Sequence, residues 1–217
     1  MATLLIFQLI VLLFSIMIHE ISHGAVALYL GDDTAKRLGR LTLNPLKHLD
    51  PFGSIIVPLI LAIPILLGGS SIIIGWAKPV PYNPYNLADP KKGAAIIGAA
   101  GPISNIFLAT VFALLLHLPV TFGIGGEMLM TAFSIIVLLN ILLAVFNLVP
   151  FPPLDGSKIL FAFLPHSAAH IQATLERYGF FFIIFFILFL LPVLQAVVFF
   201  VFNILLLLVG IGPNLPI

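Results

Sequence analysis

After Met1 the chain runs from Ala2 to Ile18 without a single charge, and comparable apolar runs recur at 54–74, 93–117, 131–149, 180–191 and 193–209. A helix needs about 20 apolar residues to cross the hydrocarbon core of a bilayer. Of the 217 residues, 61% are hydrophobic and 8% charged, with a mean hydropathy of +1.24. Soluble domains carry about 25% charged residues, so a water-soluble globule is excluded. Disorder is excluded too, because it requires high charge and few apolar residues. Nine basic residues and a net charge of +1 are too little for a nucleic-acid surface. There is no cysteine, hence no disulfide and no thiolate nucleophile or ligand. No Lys or Arg precedes the first run and no small-residue cleavage site follows it, so a retained transmembrane helix is expected rather than a signal peptide.

The first run is interrupted by His19-Glu20-Ile21-Ser22-His23 before it resumes and ends at Gly31-Asp32-Asp33. Residues four apart share one helix face, so both imidazoles can reach one metal ion, with Glu20 beside them to take a proton from the attacking water. This is the HExxH pattern of zinc hydrolases. The pattern is short and arises by chance in soluble chains, but three ionisable residues inside an apolar span are costly and mark function. The plain alternative is a hydrogen-bonded polar cluster that holds helices together.

A catalytic zinc usually takes three protein ligands. Among the eight acids, Asp32 and Asp33 lie past the end of the same helix, Asp50 and Asp89 in polar loops, Glu127 at the far end of a span, and Glu176 beside Arg177. Asp155 differs, because it follows an apolar helix and a proline-rich break, Asn147-Leu-Val-Pro-Phe-Pro-Pro-Leu-Asp155-Gly156. Prolines free backbone groups, which is tolerated where the chain lines a polar cavity. On local sequence alone, a ligand and a helix cap are equal alternatives for Asp155.

His19-Glu20-Ile21-Ser22-His23-Gly24 with the distant Asn147-to-Gly156 motif resembles the site-2 protease family of intramembrane zinc metalloproteases. Residues 39–48 with Asp50-Pro-Phe-Gly53, GWAKPVPYNP at 75–84 and AGPISN at 100–105 resemble its short bacterial branch, without a PDZ or CBS domain. The resemblance covers roughly residues 15–160. It implies that His19, His23 and Asp155 bind one Zn2+ per chain, with Glu20 as general base. It also implies that Asn147 orients substrate or stabilises the oxyanion. Asp155-Gly156-Ser157 departs from the family's Asp-Gly-Gly. The implied function is hydrolysis of peptide bonds within or near transmembrane segments of other membrane proteins, in a bacterial plasma membrane. A proteolytically silent relative that binds membrane helices, and a zinc-binding transporter, are the alternatives. The full ligand and base set argues against the first, and the absence of repeated halves against the second.

The expected fold is an all-α polytopic membrane protein. It has about five transmembrane helices, a re-entrant segment at 54–74, and short β-strands on the cytoplasmic side at 40–43 and 76–82. A single membrane-embedded domain spans 1–217, with a core at 1–160 and additional C-terminal helices at 166–211. His19 lies about 25 Å along the first helix, near its exit, and Asp155 must reach the same depth. Were every apolar run to cross once, Asp155 would emerge on the opposite face. A run at 54–74 that enters and returns restores the parity, and Pro58, Pro64 and Gly68-Gly69 suit such a hairpin; a kinked ordinary span is the alternative. With the hairpin, all nine basic residues fall on one side, which the positive-inside rule makes cytoplasmic, leaving the N-terminus outside. A substrate helix must unwind, and an edge strand could hold it by β-augmentation. Trp76, Lys78 and Pro79, with Asn147, are the candidate substrate contacts. Loops covering the mouth are the alternative to strands. The oligomeric state is open. His48, His117, His166 and His170 are read as polar or interfacial, and Asn105 as interhelical glue, a place near the site being the alternative.

Overall fold

A computed structural model describes residues 2–66 and 77–212. In order, the helices are α1 (Ala2–Tyr29), α2 (Thr34–Arg37), α3 (Val57–Leu66), α4 (Pro90–Leu115), α5 (His117–Phe122), α6 (Gly126–Asn147), α7 (Asp155–Phe163) and α8 (Ala169–Leu208). Short turns of 3-10 helix occupy Pro45–Lys47 and Pro84–Asn86, and a π-helical turn covers Pro51–Ile56.

Among the described residues, four segments are long and apolar enough to cross a membrane: Thr3–Tyr29, Pro90–Phe122, Gly126–Asn147 and Phe189–Leu208. Five were expected, with separate spans either side of Pro192. Instead α8 runs unbroken through Pro192. A proline removes one backbone donor, and spanning helices tolerate that loss. The ten residues of α3 cover about 15 Å, half a hydrocarbon core. The remainder of the expected re-entrant run, residues 67–74, lies outside the described residues.

α4 sits at the centre against α1, α6 and α7. Its packing face is made of small residues: Gly93, Gly98, Ala100, Gly101, Ala109 and Ala113 are all buried. With lipid as solvent, such residues let backbones approach and dispersion contacts accumulate. Ala109, Ala113 and Leu116 meet Val137 and Ile141 of α6 and Leu194, Val198, Phe202 and Leu206 of α8 in one apolar core. At the opposite end Ala27 packs on Leu87 and Ile97.

The helix ends are tied. His117 Nε2 donates to Val209 O (2.5 Å), joining the ends of α4 and α8. Asp32, just past α1, accepts from Asn83 N (2.8 Å) and Asn86 Nδ2 (2.7 Å), just before α4. The long connection between α1 and α4 therefore leaves and returns at one end of the bundle.

Among the described residues there is no strand. Residues 41–43 form bends, and 77–83 have no regular secondary structure. The side chain of Arg40 explains this, because it takes the carbonyls that a ladder would use. Its guanidinium donates to Lys47 O, Lys78 O (2.6 Å) and Pro79 O (3.3 Å). Pro79 and Pro81 also offer no N–H.

Candidate active site

His19 and His23 stand one turn apart on α1, buried to 5% and 6% exposure, their rings edge to face at 4.6 Å. Each ring is held from behind. His19 Nδ1 donates to Asn105 Oδ1 of α4 (2.6 Å), and His23 Nδ1 to Ile97 O of the same helix (2.6 Å). A proton on Nδ1 leaves the Nε2 lone pair facing forward, as in most histidine metal ligands.

Asp155 meets both. Its Oδ2 lies 3.0 Å from His19 Nε2 and 3.0 Å from His23 Nε2. It occupies the first turn of α7, following the proline-rich break that turns the chain back after α6. The adjacent Gly156 makes this turn possible, since a Cβ there would lie 2.2 Å from Leu148 O. The cap alternative fails, because the N-terminus of α7 has no side-chain cap bond. Ser157, which departs from the family's glycine, is buried and donates to Leu154 O (2.7 Å).

The donor set fits a divalent cation. Three ligand atoms converge within 4.8 Å of one another. With both imidazole protons turned to Asn105 and Ile97, the three atoms present only lone pairs, an arrangement a cation stabilises. Two imidazoles and a carboxylate are a usual ligand set for catalytic zinc. Gly101 of α4 keeps the space beside them, where a Cβ would lie 2.5 Å from His19 Nε2 and 2.6 Å from His23 Nε2.

Glu20 Oε2 accepts the Val80 N–H (2.8 Å) from the segment 77–83. Glu20, both histidines, Asp155, Pro79, Val80, Tyr82, Asn147 and Lys158 line one cavity of about 130 Å³. Of the expected substrate contacts, Asn147 and Pro79 thus reach the site. Asn147 Nδ2 donates back to Leu143 O (2.9 Å), leaving its second amide proton. Lys78 is exposed and does not line the cavity. Trp76 lies outside the described residues.

Sequence reasoning missed several participants. Asn105 is more than glue: besides His19 it holds Asn140 Oδ1 (2.9 Å), and Asn140 Nδ2 reaches Ser15 Oγ (3.0 Å) on α1. Asn105 and Asn140 are fully buried. A polar residue in each of three apolar helices was the available signal, since unpaired amides are costly in lipid. Tyr82 and Lys158 gave no signal beyond their nearness to motifs.

The profile of peptidase family M50 matches residues 125–191. YwhC of Bacillus subtilis strain 168, provisionally named a zinc metalloprotease, is 40% identical over 197 residues, covering 88% of this chain and 83% of YwhC. Rip2 of Mycolicibacterium smegmatis, with the same provisional name, is 31% identical over 169 residues, covering 77% of this chain and 61% of Rip2. The zinc metalloprotease MJ0392 of Methanocaldococcus jannaschii is 35% identical over 85 residues, covering 39% of this chain and 24% of MJ0392. No solved structure matches significantly. Converging ligands among apolar helices and relatives named for zinc-dependent proteolysis outweigh both the silent-relative and the transporter alternatives. The chain belongs to peptidase family M50 and is an intramembrane zinc metalloprotease.

Proposed function

We propose that His19, His23 and Asp155 hold one zinc ion, and that Glu20 is the general base for cleavage within or near substrate transmembrane segments. The convergence of two imidazole nitrogens on one carboxylate oxygen carries this reading. When bound, zinc supplies Lewis acidity, which polarises the scissile carbonyl and acidifies water. Glu20 removes the proton of the attacking water and returns it to the leaving amine. The Val80 N–H orients the Glu20 carboxylate through Oε2, and Oε1 takes the proton. The free amide proton of Asn147 faces the developing oxyanion, where a fixed dipole in a dry site is most effective.

A second cavity of about 840 Å³ adjoins the site and shares Tyr82, Pro153 and Lys158 with it. It offers room for a substrate segment that has left its helix. Residues 40–43 and 76–82 would pair with that segment only if it displaced the bonds that now hold Lys78 O, Pro79 O and Val80 N. The run at 54–74 is re-entrant in this reading, and residues 1–217 act as one membrane-embedded domain. All nine basic residues lie in the connections, in the short helices α2 and α7, or near the starts of α4 and α8, towards the end where α1 and α6 finish and α4 begins. The positive-inside rule makes that end cytoplasmic, in a bacterial plasma membrane, with the N-terminus outside.

Membrane proteomes of cells carrying wild type or Glu20→Gln, compared by mass spectrometry, identify a substrate. In detergent, Glu20→Gln keeps its zinc and cleaves that substrate roughly 10²–10⁴-fold more slowly, whereas His19→Ala and Asp155→Ala lose the metal. Wild-type cleavage by Glu20→Gln, or full zinc content in Asp155→Ala, overturns the assignment.

A further inference from the structure

The two oxygens of Asp155 have different partners. Oδ2 faces both histidines, while Oδ1 accepts a bond from Lys158 Nζ (2.9 Å), one turn along α7. A lysine–aspartate pair at this spacing on a solvated helix contributes little. Here the Asp155 side chain is 8% exposed and that of Lys158 31%, so the pair sits at the edge of the protein interior.

The lysine is held along its length. Its stem lies against α4 at Gly98, where a Cβ would be 3.1 Å from Lys158 Cβ and 3.2 Å from Cδ. Its ammonium stands 5.8 Å from the centroid of the Tyr82 ring, within cation–π range. Lys158 also borders both the small cavity at the histidines and the larger one beside it.

We infer that Lys158 is a positioning residue that occupies Oδ1 of Asp155, so that the carboxylate offers the metal Oδ2 alone. The inference rests on the zinc-site reading above. Carboxylates ligate through one oxygen or both, and nothing in the Asp155 side chain itself chooses between them. The ammonium makes that choice. It also draws charge from the carboxylate, which weakens its donation and leaves the metal a stronger Lewis acid. Partners behind the ligands commonly tune metal sites in this way. Gly98 lets α4 approach this pair, since a Cβ there would lie 3.1 Å from both Asp155 O and Lys158 Cβ.

The test uses the full chain in detergent, loaded with Co2+ in place of Zn2+, and reads the visible d–d absorption. That absorption is intense for four-coordinate cobalt and weak once a fifth ligand joins. Lys158→Met is expected to bind one cobalt but lose absorbance severalfold as Oδ1 becomes a ligand, and Lys158→Arg to restore the wild-type spectrum. A Lys158→Met spectrum identical to wild type overturns the inference, as does an equal change in Lys158→Met and Lys158→Arg. Should Lys158→Met fail to fold, Lys158→Ala, which also removes the ammonium, decides by the same criterion. If the wild-type chain binds no cobalt, the metal-site reading itself fails. If it binds and the variants match it, only the role of Lys158 fails.

Discussion

His19 can aim Nε2 forward only because Asn105 holds its Nδ1 proton, and Asn105 is itself held by Asn140 (2.9 Å). These buried amides have no water to fall back on, so breaking the chain leaves a polar group stranded. Losing one such partner costs about 1–3 kcal/mol, and losing the group behind a metal-binding histidine costs roughly 10–100-fold in metal affinity. Asn105→Ala should therefore weaken zinc binding by that factor in chelator competition. Asn140→Ala, one bond further away, should lower stability in denaturant titration with a smaller effect on zinc. Equal zinc affinity in Asn105→Ala and wild type would leave Asn105 as interhelical glue alone.

The end of α1 is joined to the start of α4 through Asp32. Its burial raises the carboxyl pKa, but bonds from the Thr34 hydroxyl, Asn83 N, Asn86 Nδ2 and Thr34 N outweigh this and hold it below the ordinary carboxylate value. A group depressed in the folded state stabilises the fold above its unfolded pKa and loses that contribution as pH falls through the folded one. Asp32→Asn should cost about 2–3 kcal/mol at neutral pH. The gap to wild type should begin to close below about pH 4. Chemical denaturation in detergent at several pH values measures this, and a gap that stays constant down to pH 2 contradicts it. α4 is the counterpart on the other side of the junction. Its Gly98 and Gly101 admit Lys158 and the two imidazoles, so its small residues serve both packing and chemistry.

The bundle alternates in direction, with α1 and α6 ending where α4 and α8 begin. The site lies at that end, which also carries every Lys and Arg. Because the chain has no cysteine, single cysteines report sidedness cleanly. Glu127→Cys, in the first turn of α6, should react with an impermeant maleimide in intact cells, and Lys36→Cys, after α1, only in inverted vesicles. The reverse pattern would invert the orientation. Apolar run length marked the membrane-spanning helices from the sequence, because it acts one segment at a time. The sequence misjudged the C-terminal region because a proline reads as a break, whereas α8 continues through Pro192.

His19, Glu20 and His23 were legible because a helix repeats every 3.6 residues, so local spacing alone places both imidazoles on one face. The membrane character was equally local, since it follows from the transfer free energy of each run. Asp155 was half legible, with a motif that marked it and an equal claim to be a cap. Only the packing of both α7 and α1 against α4 brought its carboxylate 3.0 Å from both histidines. The Asn105–Asn140–Ser15 chain and the Glu20–Val80 bond were set by tertiary structure alone. Each joins groups distant in sequence, and no local propensity encodes a hydrogen bond whose partner arrives from another helix.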